Sequence, residues 1–250
     1  MRFGSINRKY LTLLPDMVTL LNLFTGFFSI LMISRGKTGT AGWLIFLSLF
    51  WDSLDGNIAR IFHNPTCLGR ELDSLADMVS FVLAPAFLVA NVFRRLLDPQ
   101  LLVPLFLYLG AGAYRLARFN VQPASKKYFQ GLPTPAAALA VTMTVLAGLR
   151  HGWDGFPMFD FGTLVFLPFL SFLMVSRIPY PKLSAIRFSH WQSLFYIGFA
   201  VFTGVFSIYQ AEAAVAAVVL VFLFLSPVYC LPGRALEPED KLNLGPKTLL

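Results

Sequence analysis

The sequence predicts an all-α membrane protein, a polytopic helical bundle of about eight transmembrane helices with both termini in the cytoplasm. Composition indicates this class, because 56% of the 250 residues are hydrophobic and only 13% are charged. In a soluble domain about a quarter of the residues carry charge. The apolar runs are also long, and a run of about 18 apolar residues can cross a bilayer as a helix. In chain order, the candidate spans are residues 16–34, 40–62, 71–93, 100–118, 133–149, 159–176, 190–209 and 212–231.

The spans are predicted to form one membrane domain, residues 16–231. Short breaks that carry glycine, proline or charge separate them, as expected at helix ends, and no internal repeat divides them. Residues 1–15 are basic and amphipathic, which is typical of a segment that lies on the membrane surface. Residues 232–250 are polar and are predicted to form a C-terminal tail.

The basic residues predict how the bundle is oriented. With the N-terminus in the cytoplasm and eight alternating helices, 15 of the 20 Lys and Arg residues lie inside and five lie outside. This bias follows the positive-inside rule and predicts an integral multi-pass protein of the cytoplasmic membrane. The net charge of +7 is spread between the apolar runs, which favours contact with membrane lipid and argues against a nucleic-acid partner.

Four aspartates interrupt the second and third spans at the ends predicted to face the cytoplasm. Asp52 and Asp55 are three residues apart, and Asp73 and Asp77 are four residues apart, so each pair shares one face of a helix. The link between the spans is short and contains Pro65. Two helices joined in this way run antiparallel, so the two carboxylate pairs can face each other.

These carboxylates predict a site for divalent cations. Four unpaired carboxylates at membrane depth are unfavourable, and the nearby Arg60 and Arg70 supply at most two positive charges. One or two ions bound by oxygen ligands fit better, which favours Mg²⁺, Mn²⁺ or Ca²⁺ over Zn²⁺. Two alternatives remain: salt bridges at the helix ends, and an ion relay in a membrane transporter.

Small residues follow the first aspartate pair. Gly56 comes directly after Asp55, and Ala59 lies about one turn further along. Together they leave a strip where a flat ligand can approach the backbone, although close helix packing also uses small residues. Arg60 is placed to hold a phosphate.

The whole pattern resembles the signature of the CDP-alcohol phosphotransferase family. In this chain it reads Asp52-x2-Asp55-Gly56-x2-Ala59-Arg60-x8-Gly69-x3-Asp73-x3-Asp77. The resemblance implies that the four aspartates bind two divalent metal ions, and that Asp77 is also the general base. It further implies that a CDP moiety contacts residues from this segment and from the first span, namely Gly56, Ala59, Arg60, Thr66, Gly69, Asp16 and Thr19.

Other segments resemble the phosphatidylserine synthase branch of that family. They are PDMVTLLNLFTGFFSI (15–30), DSLADMVSFVLAPA (73–86), YRLARFNV (114–121), YFQGLPTPAAA (128–138) and VSRIPYPK (175–182). The branch implies a homodimer that converts CDP-diacylglycerol and L-serine to phosphatidylserine and CMP. Sibling enzymes that use another alcohol or an archaeal ether lipid share the aspartate signature and remain alternatives.

Four polar residues in the later segments are candidate contacts for the substrate or its phosphate. Arg115 and Arg118 are three residues apart at a helix end, so both can point at one anionic site. The lipid phosphate and the serine carboxylate are the candidate anions, and anchoring by the positive-inside effect is the alternative. Asn120 and Arg177 complete the set. No Ser/His or Cys/His arrangement suggests a covalent enzyme intermediate.

Overall fold

The computed structural model describes residues 13–61, 67–93, 99–121, 128–153 and 156–181. In these ranges helices predominate, and two short strands accompany them. The helices are α1 (Leu13–Ser34), α2 (Thr38–Ile61), α3 (Cys67–Asp77), a π-helical turn (Met78–Leu83), α4 (Ala84–Val92), α5 (Pro99–Val121), α6 (Thr134–Arg150) and α7 (Pro157–Val175). The strands are β1 (Tyr128–Gln130) and β2 (Pro179–Pro181).

The first six predicted spans all coincide with helices, so the helical membrane bundle is confirmed in the described part of the chain. Four helices there are long and apolar enough to cross a membrane: Leu14–Ser34, Cys67–Val92, Pro99–Val121 and Pro157–Val175. The helix Thr134–Arg150 is apolar but shorter, and α2 carries Asp52 and Asp55 near its C-terminal end. The predicted spans at 190–209 and 212–231 lie outside the described residues, as do residues 1–12 and the tail.

Apolar side chains occupy both the centre of the bundle and much of its surface. Val82, Leu88 and Leu170 are fully buried, whereas α1 and α2 expose large side chains such as Phe24 and Trp43. A soluble protein seldom exposes so wide an apolar surface. Helix faces turned toward lipid carry such side chains, which agrees with a protein of the membrane.

The structure adds one feature that the sequence did not predict, an antiparallel ribbon formed by β1 and β2. Phe129 pairs with Tyr180 at its centre. Pro179 and Pro181 lack the backbone N–H that a helix needs, so this stretch is extended. The ribbon brings together the chain before α6 and the chain after α7, two loops that the sequence predicts on the same side of the membrane.

A π-helical turn interrupts the long helix Cys67–Val92 directly after Asp77. Pro85 has no N–H, so the carbonyl oxygen of Phe81 lacks its α-helical donor. The hydroxyl group of Tyr108 on α5 donates to this oxygen at 3.1 Å, and Tyr108 is fully buried. Such turns change the phase of a helix locally. Here the turn separates the face that carries the aspartates from the apolar half of the helix.

Candidate active site

Three of the predicted carboxylates meet in space. Asp52 and Asp55 come from α2, and Asp73 comes from α3. One oxygen of each lies within 4.8 Å of the others, an arrangement that could hold a metal ion. Asp77 lies beside them, close enough to interact electrostatically with Asp52, Asp55 and Asp73. The helical spacing of each pair makes this possible, since it places both carboxylates of a helix on one face.

Helix α1 packs against both α2 and α3 and contacts one aspartate of each pair. The hydroxyl group of Thr19 donates to Asp55 Oδ2 at 2.8 Å. The side-chain amide of Asn22 donates to Asp77 Oδ1 at 3.2 Å. All four side chains are buried. The site is therefore assembled from three helices, and α1 orients a carboxylate on each of the other two.

The carboxylates need positive charge in order to coexist. Two unit negative charges no more than 4.8 Å apart repel by at least about 3.5 kcal/mol at an effective dielectric constant of about 20. Three such pairs approach the whole net stability of a folded domain, about 5–15 kcal/mol. In addition, Asp73 Oδ1 is buried without a hydrogen-bond partner among the described residues. An oxygen-rich site with an unused buried ligand atom fits a hard divalent cation.

Arg115 on α5 is a buried cation beside this site. It is only 7% exposed, and it lies close enough to Asp77 and Asp52 for Coulombic attraction. Its Nη1 donates to Thr134 Oγ1 at 2.7 Å, which anchors it to the start of α6. Its Nε has no partner among the described residues. One guanidinium group offsets only part of the charge of four carboxylates.

Arg118 binds backbone instead. Its Nη1 donates to the carbonyl oxygen of Val175 at 2.9 Å. Its Nη2 donates to the carbonyl oxygens of Gln130 at 2.8 Å and Ser176 at 3.3 Å. Gly131 adjoins this cluster with φ +78°, and a Cβ there would meet the Ser176 carbonyl oxygen at 2.9 Å. Arg118 thus ties the end of α5 to the last residue of β1 and to the end of α7.

The other two candidate substrate contacts, Asn120 and Arg177, have no described contact with the aspartates. Asn120 donates to Glu71 Oε2 at 3.1 Å and accepts a hydrogen bond from Ser74 at 3.1 Å, so it joins the end of α5 to α3. Arg177 is exposed between α7 and β2. Of these candidates, the described contacts bring Arg115 alone next to the aspartates.

The candidate CDP contacts are only partly described. Asp16 and Gly56 are half-buried on α1 and α2, and Gly69 is half-buried on α3. Ala59 and Arg60 belong to the last turns of α2, but their side chains lie outside the described part, as does the whole of Thr66. Thr19 contacts Asp55 directly, as described above.

Four residues of the site were not predicted from the sequence, namely Asn22, Ser80, Tyr108 and Thr134. Asn22 lies in a segment that resembles the family, but it is not part of the aspartate signature. A signal did exist on α1, where Thr19, Asn22 and Gly26 recur at helical spacing along an apolar run. Polar side chains inside a spanning helix commonly mark function. Thr134 and Tyr108 carry no such signal, because only packing brings them to Arg115 and Phe81.

Comparison with known proteins covers the same part of the chain. The family model described as CDP-alcohol phosphatidyltransferase matches residues 12–174, which include all four aspartates. The chain belongs to the CDP-alcohol phosphatidyltransferase family. The family resemblance predicted from the aspartate pattern is thereby confirmed.

Curated relatives of this CDP-alcohol phosphatidyltransferase family member carry names that specify the alcohol. The chain is 37% identical to the CDP-diacylglycerol–serine O-phosphatidyltransferase of Helicobacter pylori, over 74% of this chain and 77% of that protein. It is 30% identical to the protein of that name from Mycobacterium leprae, over 95% and 79%. It is also 33% identical to the archaetidylserine synthase of Methanothermobacter thermautotrophicus, over 69% and 71%.

Proposed function

We propose that this protein transfers the phosphatidyl group of CDP-diacylglycerol to the hydroxyl group of L-serine, giving phosphatidylserine and CMP. The observation that carries the proposal is the meeting of Asp52, Asp55 and Asp73, with Asp77 and Arg115 beside them, in a membrane protein of this family. The names of the relatives support serine as the alcohol. They are transferases, so the transporter alternative receives no support.

The reaction moves one phosphoryl centre between two oxygens. The serine hydroxyl oxygen attacks the β-phosphorus of CDP-diacylglycerol, the bond from that phosphorus to the bridging oxygen breaks, and CMP leaves with the bonding electrons. Asp77 accepts the proton of the serine hydroxyl group and later releases it to water. Positioning and charge stabilisation supply most of the rate in such transfers. Arg115 adds a buried positive charge next to the reacting groups.

Two divalent ions, which could be Mg²⁺, Mn²⁺ or Ca²⁺, would complete the proposed site. Asp52, Asp55, Asp73 and Asp77 would hold them. When bound, they would neutralise the diphosphate and the departing CMP. This role explains why four carboxylates gather where one described cation, Arg115, faces them.

The substrate contacts form a second part of the proposal. The CDP moiety lies along α2 and α3 and near the start of α1, at the residues predicted for it: Gly56, Ala59, Arg60, Thr66, Gly69, Asp16 and Thr19. Arg115 is the preferred contact for an anionic substrate group, because it is the candidate next to Asp77. Arg118 and Asn120 would affect substrate binding indirectly, by fixing the end of α5 against β1, α7 and α3. Arg177 is exposed and remains a candidate for direct contact with substrate.

The finer architecture is also proposed. Eight spans with both termini in the cytoplasm would place the aspartates, the ribbon and the end of α5 on the cytoplasmic side of the cytoplasmic membrane, where serine is available. The protein would act as a homodimer. The charge bias of the loops supports the orientation, and labelling of single introduced cysteines at residues 36 and 152 from the outer side would test it.

The test is serine incorporation into chloroform-soluble lipid by membranes that contain the protein. The assay supplies CDP-diacylglycerol with Mn²⁺ or Mg²⁺, and includes EDTA and Asp77→Asn controls. Metal-dependent label in phosphatidylserine that the mutant lacks is expected. CMP release with another alcohol, and none with serine, would overturn the assignment of serine.

One specific observation keeps an ether lipid as a second candidate donor. A relative of similar identity is named archaetidylserine synthase, so serine transfer occurs in this family with a different lipid. Competition between CDP-diacylglycerol and its diether counterpart in the same assay separates the two donors.

A further inference from the structure

We infer that Asn22 is a positioning residue for Asp77, and that its side-chain amide holds this carboxylate ready for metal binding and proton transfer. The inference rests on the proposed function, since it assigns Asp77 the roles of metal ligand and base. It adds a residue of α1 that lies outside the aspartate signature.

The contact that carries the inference is a buried hydrogen bond between helices. Asn22 Nδ2 donates to Asp77 Oδ1 at 3.2 Å. Asn22 is fully buried and Asp77 is 8% exposed, so water competes little for this bond. A donor on Oδ1 leaves Oδ2 as the carboxylate oxygen available to a metal ion or to the alcohol.

The backbone of Asn22 is also hydrogen-bonded to the segment that follows Asp77. The hydroxyl group of Ser80 donates to the carbonyl oxygen of Asn22 at 2.9 Å. One turn further along α1, Gly26 lies so close that a Cβ there would meet Ser80 Cα at 2.7 Å. Ser80 belongs to the π-helical turn that begins directly after Asp77. Asn22 and Asp77 are therefore fixed relative to each other by a second contact between the same two segments.

The amide oxygen of Asn22 also supports a role in positioning Asp77. Asn22 Oδ1 is buried without a hydrogen-bond partner among the described residues. A buried acceptor without a partner costs free energy, and an apolar side chain of similar size would avoid that cost. Stability alone therefore does not explain an asparagine here, whereas the need for an N–H donor at Asp77 does.

Known metal sites indicate how large the loss on replacing Asn22 should be. Residues that hydrogen-bond a metal-ligating side chain typically change metal affinity or activity by about 10–100-fold when they are removed. We expect a loss of this size in Mn²⁺ affinity and in kcat for Asn22→Leu, while KM for CDP-diacylglycerol and for serine stays near the wild-type value.

The experiment compares three variants at position 22 with one control on the same helix. Asn22→Leu removes both polar atoms, Asn22→Asp keeps the shape without the N–H donor, and Asn22→Gln keeps the donor. Mn²⁺ binding is measured by calorimetry on the purified full chain in detergent, and kcat and KM are measured at saturating Mn²⁺. Thr25→Val is the control, because it removes a buried hydrogen bond between Thr25 and Ser48 of 2.7 Å without touching an aspartate.

The inference predicts that Asn22→Leu and Asn22→Asp lose Mn²⁺ affinity and kcat, that Asn22→Gln retains more of both, and that Thr25→Val keeps both while its Tm falls. Equal behaviour of the Gln and Asp variants would overturn it, and this comparison holds even where Asn22→Leu fails to fold. A loss that appears in KM alone would also overturn it. Failure of the proposed function is seen separately, as wild-type protein that binds Mn²⁺ but makes no phosphatidylserine.

Discussion

Arg115 and Arg118 lie one turn apart on α5 and serve different groups. Arg115 is buried and faces Asp77 and Asp52, whereas Arg118 donates to three carbonyl oxygens at the end of β1 and the end of α7. From their spacing in the sequence alone, both arginines were predicted to bind the same anion. These backbone contacts separate their roles, because the carbonyl groups of Gln130, Val175 and Ser176 occupy the guanidinium group of Arg118.

Arg118→Ala is expected to lower stability. Hydrogen bonds to a charged group contribute about 1.5–3 kcal/mol each, and Lys cannot reproduce a fork that reaches several carbonyl oxygens. The Tm in detergent should fall for Arg118→Ala, and Arg118→Lys should recover only part of it. A KM for serine that rises while Tm is unchanged would show that Arg118 binds substrate instead.

Asp77→Asn is expected to reduce kcat by roughly 10²–10⁴-fold, the usual contribution of a general base. Asparagine keeps the shape of the side chain but cannot accept the proton. The measurement is CMP release at saturating metal and substrates. Asp160→Asn is the matched control, since Asp160 is a partly buried aspartate in the first turn of α7, and the variant should keep wild-type activity.

Metal removal is expected to abolish activity and to destabilise the protein. A ligand at about 100 times its Kd stabilises the native state by about 2.7 kcal/mol, so Mn²⁺ should raise the Tm of EDTA-treated wild-type protein. Asp73→Asn removes one of the three carboxylates that meet and should weaken this shift. An equal shift in both proteins would place the metal elsewhere.

Tyr108→Phe is expected to destabilise the protein by about 1–3 kcal/mol, the cost of a buried polar group without a partner. Pro85 has no N–H to donate to the carbonyl oxygen of Phe81, and the hydroxyl group of Tyr108 donates to that oxygen instead. Pro85→Ala restores an N–H at that position. The cost of Tyr108→Phe should therefore be smaller in the Pro85→Ala background. Thermal unfolding of the four proteins of this cycle measures the coupling, and strict additivity would contradict the explanation.

Much of the site was predictable because its residues are close in sequence. The spacing of Asp52 with Asp55, and of Asp73 with Asp77, determines a shared helix face whatever the rest of the fold does. The helices themselves follow from long apolar runs, since in lipid an isolated segment must satisfy its own backbone hydrogen bonds. Family membership followed from the same pattern and was confirmed.

The contacts that the sequence did not predict join residues far apart in the chain. Asn22 meets Asp77 across 55 positions, and the β1–β2 ribbon joins loops about 50 residues apart. No periodicity encodes such pairs.

By itself, the sequence determined the membrane class, the helices and the clustering of aspartates on two helix faces, because these depend on local spacing and hydrophobicity. Only the tertiary structure decided which neighbours those aspartates have. Helix packing brings α1 against both aspartate pairs, places Arg115 beside them and lets Arg118 bind carbonyl groups at the ends of β1 and α7. Each of these contacts joins side chains or backbone groups that meet only once the bundle is assembled.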